Sequence, residues 1–144
     1  DLLKYASGLF GLSSPGRVDQ ALKYWDAEGY ASKPIGTLSY GMQKRLGLAL
    51  ATLHDPEVLI LDEPFAGLDL YHIKALDDEI ARRAKAGRAT IVSTHEAASA
   101  ARSCSRALIL DSGQMSELEG YAGAPLLGRV ERIEHAFFGK GARA

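Results

Sequence analysis

Four consecutive apolar residues, Val58-Leu59-Ile60-Leu61, run directly into Asp62-Glu63-Pro64. A short apolar run bounded by a turn reads as a strand, and two β-branched residues in four favour that reading. Polar and apolar residues do not alternate in it, so the strand is expected to be buried on both faces, as parallel sheets require. Parallel strands need crossover connections, and the chain supplies them. Residues 70–86 put Ile73, Leu76, Ile80 and Ala84 on one helical face, with Arg82, Arg83 and Lys85 in the last turn. Gly87 stands where a left-handed C-terminal cap belongs. Ala89 to Ser93 reads as a second buried strand and Ala107 to Leu110 as a third. Strand–helix–strand–helix–strand implies an α/β fold, a parallel sheet with right-handed crossovers.

The earlier part of the chain has a different period. Residues 1–12 read as the end of a helix carrying Leu2, Leu3, Leu9 and Phe10, and Ser13-Ser14-Pro15-Gly16 as a turn. Val18, Ala21, Leu22 and Trp25 then fall at i, i+3, i+4 and i+7, one helix face, with Gly29 as a stop and Trp25 in the core. A further helix over 43–53 carries Leu46, Ala49, Leu50 and Leu53 before the Asp55-Pro56 turn. Three segments are therefore expected: 1–56 all-helical, 57–118 an α/β core, and 119–144 a tail. A hairpin is expected near Ser112-Gly113, and a short tail helix with Val130, Ile133 and Phe137 inward.

Composition narrows the function. Seventeen Lys and Arg balance 18 Asp and Glu to a formal charge of −1, which argues against a nucleic-acid groove or a polybasic membrane arm. With 47% hydrophobic and 24% charged residues the chain can bury a core. No stretch approaches the roughly 20 apolar residues of a spanning helix. The single Cys104 excludes a disulfide framework and a Cys-rich zinc site.

Asp62 and Glu63 arrive at the C-terminal end of a strand, the edge where open α/β sheets bind ligands. Adjacent strand residues point to opposite sides, so one carboxylate can hold a hydrated Mg²⁺ while the other faces a nucleophilic water. The plain alternative is a strand that ends in a solvated acidic turn. In Leu38-Ser39-Tyr40-Gly41-Met42-Gln43, Ser39 suits a helix N-cap and Gly41 allows close backbone approach to an anion at the helix N-terminus. Such a pattern also serves as a simple cap. Ser93-Thr94-His95-Glu96 ends the second strand with a histidine able to donate to a phosphate or an attacking water, or to sit idle on the surface. Ala66-Gly67-Leu68-Asp69 reads as an ordinary turn with Asp69 capping the next helix. His54, His72 and His135 show no metal-ligand spacing.

In this order and spacing the four segments resemble the ATP-binding cassette family. Residues 38–43 look like its signature motif, 58–64 like its Walker B strand, 66–69 like its D-loop and 93–95 like its switch-histidine loop. The resemblance covers roughly residues 1–118. It implies a partial P-loop NTPase-type sheet, its second half, preceded by the family's α-helical subdomain. It also implies ATP and Mg²⁺ as ligands and a transporter ATPase as the activity. Asp62 would order Mg²⁺ through water, Glu63 would be the general base, and His95 would contact the γ-phosphate. Ser39, Tyr40, Gly41, Met42 and Gln43 would reach a nucleotide held by a second cassette subunit, and Asp69 would cross that dimer interface. A transmembrane permease would be the further partner, with the chain on the cytoplasmic face of the membrane.

Two departures qualify the resemblance. Tyr40 stands where many members have Gly; the Ser-x-Gly-Met form, with the ending Arg132 to Phe138, is similar to the ABC-2-type exporter branch. The phosphate loop Gly-x-x-x-x-Gly-Lys-Ser/Thr is absent from these residues, and the one Gly-Lys pair, Gly139-Lys140, lacks its context. An opening at Asp1 inside helix-like sequence suggests an internal cut. The 144 residues alone are expected to bind ATP poorly, to be inactive and to fold poorly. The alternative is a shortened, non-catalytic cassette that completes a partner's site in trans. A soluble DNA-repair or chromosome ATPase ranks last, for want of heptads or a zinc module.

Overall fold

The computed structural model describes residues 2–12 and 16–138. The expected turn at Ser13-Ser14-Pro15 and the Gly139-Lys140 pair lie outside the described residues. The chain divides into two compact units, residues 1–92 and 93–144.

The first unit opens with three helices, α1 (Leu2–Leu9), α2 (Arg17–Tyr24) and α3 (Tyr40–Leu53). Helices α2 and α3 pack through the apolar stripes that the sequence displays, α1 packs through Leu3 and Ala6 with Leu2, Leu9 and Phe10 exposed, and Trp25 is fully buried among the three. Its indole Nε1 donates to Thr52 Oγ1 at 3.1 Å, so its one polar atom has a partner. Arg17 Nε donates to Leu53 O at 2.9 Å and fixes the C-terminus of α3 to the start of α2.

Strand β1 (Val58–Asp62), helix α4 (Leu70–Lys85) and strand β2 (Ala89–Ser93) follow. The strands pair in a small parallel sheet, joined through α4 as a crossover demands. The expectation of burial on both faces is corrected here. Leu59 and Leu61 enter the helical core, but Val58 and Ile60 are 54% and 71% exposed, and Ile91 of β2 is 57% exposed. Successive strand residues point to opposite faces, and the helices of this unit cover only one of them.

The inner face of α4 is also rotated from expectation. His72, Leu76, Glu79, Ile80 and Arg83 are buried, whereas Ile73 is half-buried and Ala84 exposed. Arg83, expected in the last turn, is fully buried. Its guanidinium donates to Pro56 O at 2.6 Å, to Thr90 Oγ1 at 3.2 Å and to Asp55 Oδ1 at 3.4 Å. These acceptors mark the start of β1 and the second residue of β2, so a buried cation ties both strands to the helix between them. Gly87, at φ 75, ends the helix in the left-handed conformation that its type foretold.

The second unit holds α5 (Ala97–Ser103), β3 (Leu108–Asp111), β4 (Gln114–Glu117) and α6 (Leu126–Phe138). β3 and β4 form an antiparallel hairpin in register from Leu108 opposite Glu117 to Asp111 opposite Gln114. Ser112 and Gly113 both have positive φ, 51 and 80, as a two-residue hairpin turn requires. The hairpin foreseen at Ser112-Gly113 is present. The third strand, expected in the parallel arrangement, takes its hydrogen bonds from β4, because so short a turn returns the chain at once beside itself. Ala101, Tyr121 and Ile133 form the core of this unit, and Tyr121 OH donates to Ala100 O at 2.8 Å. Val130 packs against that core, but Phe137 is exposed, contrary to expectation. It follows Ile133 by four residues, and by that point α6 has run beyond the small core it covers.

Candidate functional site

The candidate site in the first unit joins the C-terminal end of β1 to the N-terminus of α3. Asp62 closes the strand with its side chain exposed, and Glu63, next to it, is half-buried. The two carboxylates therefore differ in exposure. Glu63 has φ 43, a left-handed backbone unusual for a residue with a long side chain. Such a conformation costs of the order of 1 kcal/mol and persists only where neighbours enforce it. Buried Pro64 and Phe65 anchor the chain beyond it.

Ser39 is extended at φ −64, ψ 160, and its Oγ accepts from the Met42 N–H at 3.3 Å. This is the N-cap that the sequence indicates, although the helix starts at Tyr40 rather than Gln43. Gln43 Nε2 donates to Leu38 O at 3.0 Å and to Ile35 O at 3.2 Å, so it holds the preceding loop against the helix. Lys44 reaches the other way. Its Nζ donates to Glu63 O at 2.8 Å and lies 5.7 Å from the Tyr40 ring centroid.

The 66–69 loop rests on the same helix end. A Cβ on Gly41 would lie 2.9 Å from Gly67 O, and one on Gly67 would overlap the Tyr40 ring. Gly41 thus has an intramolecular use: it admits a backbone carbonyl. Asp69 caps α4, with Oδ1 accepting from His72 N–H at 3.0 Å and lying 2.8 Å from His72 Nδ1. The His72 backbone N–H, then its imidazole, hold the Asp69 carboxyl below the usual aspartate range. Between Tyr40, Gln43 and Lys44 on one side and Leu61, Asp62 and Pro64 on the other lies a hollow of ≈ 320 Å³.

Of the sequence candidates, Ser39 through Gln43, Asp62, Glu63 and Asp69 all fall in the first unit, and Tyr40 and Gly41 meet the 66–69 loop directly. His95 belongs to the second unit, exposed between β2 and α5. Beside it Thr94 Oγ1 accepts from Glu96 N–H at 3.1 Å, and the Glu96 carboxylate accepts from Ser99 Oγ at 2.8 Å. Lys44, Arg45 and His72 were not singled out by the sequence. His72 could have been, since 72, 76, 80 and 83 share the inward face of α4.

Among the described residues no group of three or more His, Cys, Asp and Glu is set to hold a metal ion. Asp62 offers one exposed carboxylate at the hollow. That fits Mg²⁺, which keeps most of its waters and takes phosphate oxygens beside one or two carboxylates. A capped helix N-terminus, a strand-end carboxylate pair and a hollow between them suit an anionic ligand that carries a divalent cation.

Comparison with known proteins points to a family of ATP-binding proteins. The family model described as ABC transporter matches residues 6–66. An uncharacterized ABC transporter ATP-binding protein of Methanocaldococcus jannaschii is 33% identical over 118 residues, covering 79% of this chain and 45% of that protein. A solved ATP-binding subunit of an ABC transporter superposes with TM-score 0.72 at 29% identity, covering 92% of this chain and 60% of that one. An ABC transporter in an inward-facing conformation matches at TM-score 0.64 and 18% identity, over 94% and 57% of the chains, a likeness of fold alone. All three comparisons find the chain similar to ATP-binding cassette proteins. It spans less than half the length of the Methanocaldococcus relative. Members of the family bind ATP with Mg²⁺. No described helix is long and apolar enough to cross a membrane.

Proposed function

We propose that this chain is the second part of the ATP-binding domain of an ABC transporter, and that within the complete domain it hydrolyses ATP. The observation that carries the reading is the joining of the capped α3 N-terminus to the Asp62-Glu63 strand end, by Lys44 on Glu63 O and by Tyr40 on Gly67. Asp62 would hold Mg²⁺ through water, and the ion would neutralise phosphate charge. Glu63, its backbone held in place, would accept a proton from the water that attacks the γ-phosphorus. His95 would donate to a γ-phosphate oxygen. Ser39, Tyr40, Gly41, Met42 and Gln43 would face a nucleotide on a second cassette subunit, with Asp69 at that interface. A transmembrane permease would bind the helical segment 1–56, placing the protein on the cytoplasmic face of the membrane, with export as the direction.

The bare apolar face of Val58, Ile60 and Ile91 supports a domain whose remaining strands, with the phosphate loop, lie outside these residues. A second reading, a shortened cassette that completes a partner's site in trans, draws support from exposed Ser39 and Tyr40. Glu63→Gln in the complete protein tests the first reading. Turnover should fall at least a hundredfold while ATP still binds, and unchanged hydrolysis removes Glu63 from its role. Reconstitution tests the second. If the 144 residues restore hydrolysis to a partner with a crippled signature motif, the trans role stands.

A further inference from the structure

His72 lies on the inner face of α4, only 5% exposed, and both of its ring nitrogens are engaged. Nδ1 is 2.8 Å from Asp69 Oδ1, and Nε2 is 3.0 Å from Arg45 Nη1 on α3. A guanidinium carries N–H donors, no acceptor, and a permanent charge. Nε2 therefore accepts from Arg45, the ring proton sits on Nδ1, and Nδ1–H donates to Asp69. The partners alone fix the tautomer, and the imidazole is neutral in this arrangement. Arg45 Nη1 donates onward to Asp26 Oδ2 at 2.7 Å and to Asp26 O at 3.1 Å, at the turn that ends α2. The guanidinium also lies 5.2 Å from the Tyr30 ring centroid, and the Tyr71 ring meets the imidazole edge-on at 5.1 Å. The ends of this chain, Asp69 and Asp26, are 67% and 73% exposed, His72 is buried and Arg45 is half-buried.

We propose that His72 is a positioning residue: a neutral imidazole bridge that holds Asp69 and the 66–69 loop in register with α3 and the end of α2. Pressure on Asp69 is then carried through His72 and Arg45 to Asp26, on the helical segment. That this path serves communication between subunits rests on the reading of Asp69 as an interface residue; the bridge itself does not. The bridge demands an acceptor at Nε2. A second proton there faces Arg45 donor to donor, and although Asp26 Oδ2 lies 4.0 Å from Nε2, the Arg45 bond is lost. The ionic groups facing the ring are Asp69, Arg45 and Asp26.

Imidazole ¹⁵N NMR on the purified protein tests the bridge. At neutral pH His72 should show a bare Nε2 and a protonated Nδ1, and Arg45→Met should raise the share of the Nε2–H form severalfold. A dominant Nε2–H or a doubly protonated ring in the parent protein overturns the proposal. Unfolding equilibria supply the second measurement. Asp69→Ser keeps a capping oxygen but is too short for the ring, and its effect should couple to Arg45→Met by about fivefold in the unfolding constant. The coupling should vanish in a His72→Phe background; independent effects with His72 present overturn the bridge. Should Phe not fold, His72→Asn, which keeps the donor toward Asp69, and His72→Gln, which keeps an acceptor toward Arg45, take its place. Each should retain one half of the bridge and no coupling, and coupling retained in either overturns it. Hydrolysis by Asp69→Ser in the complete protein separates the two claims. Unchanged turnover removes Asp69 from the interface and leaves the NMR result standing.

Discussion

The Tyr40 ring occupies the space where a side chain at Gly67 would begin: a Cβ there would lie 2.5 Å from the ring's Cε1. Gly67 also has φ 77, so the position excludes a side chain on two separate grounds. Gly67→Ala should cost roughly 2–4 kcal/mol, about 1 from left-handed strain and the rest from overlap. Tyr40→Ala in the same chain should recover the overlap part and leave the strain. Urea midpoints of the four proteins check this, and additive effects would mean that the ring and the glycine are not complementary.

What could be read in advance follows the range of the physics involved. Ser39 and Asp69 are legible as caps because capping joins residues three apart, and the structure has both bonds. The Ser112-Gly113 turn is legible for the same reason. Burial of β1 is not, because an apolar run records what a strand tolerates on each face and not which face is covered. Val58 and Ile60 are the outcome. Arg83 misleads because a basic residue in a last turn satisfies the helix dipole equally well from solvent, and only the distant Asp55 and Pro56 acceptors draw it inward. The contact of Tyr40 with Gly67 spans 27 positions and leaves no local signature. The resemblance marked both loops but not that they touch.

The Asp69 carboxyl gains two hydrogen bonds from His72 on folding, and both favour the ionised form. A carboxyl held below its ordinary range contributes stability that is fully present above the ordinary aspartate value and is lost as pH falls through the lowered one. Asp69→Asn keeps an oxygen for the backbone N–H but cannot titrate. The acid side of its stability profile should therefore be shallower than that of the parent below about pH 4. Denaturation midpoints measured from pH 6 downward for both proteins decide it; parallel curves would show that the bonds do not discriminate between protonation states.

Arg83 is a buried cation whose partners are also needed elsewhere. Asp55 sits at φ 50 and takes a second ion pair from Arg88 at 2.8 Å. Arg83→Met preserves much of the side-chain volume but strands Pro56 O and weakens the hold on Asp55. A loss of about 2–4 kcal/mol is expected, nearer the cost of orphaning buried partners than the small value of a surface pair. Lys74 and Asp78 form an exposed ion pair on the same helix, and Lys74→Met should cost less than about 1 kcal/mol. Equal losses from the two substitutions would contradict the assignment of Arg83 as the strand clamp.

Lys44 is the side chain through which α3 grips the carboxylate turn. Its ammonium donates to Glu63 O at 2.8 Å, while the backbone there is held in a left-handed conformation that no glycine relieves. A charge-assisted bond to a carbonyl is worth about 1–2 kcal/mol in a half-buried setting. Without it, Glu63 can relax toward an ordinary backbone geometry and move its carboxylate. Lys44→Met should therefore lower stability by about 1 kcal/mol. In the complete protein, if Glu63 is the base, it should lower kcat by tenfold or more with little change in ATP affinity, because the bond lies under the base and not on the nucleotide. Lys44→Arg, which offers another cation at similar reach, should recover part of kcat. A variant that loses ATP affinity with kcat intact would place Lys44 on the ligand and not beneath Glu63.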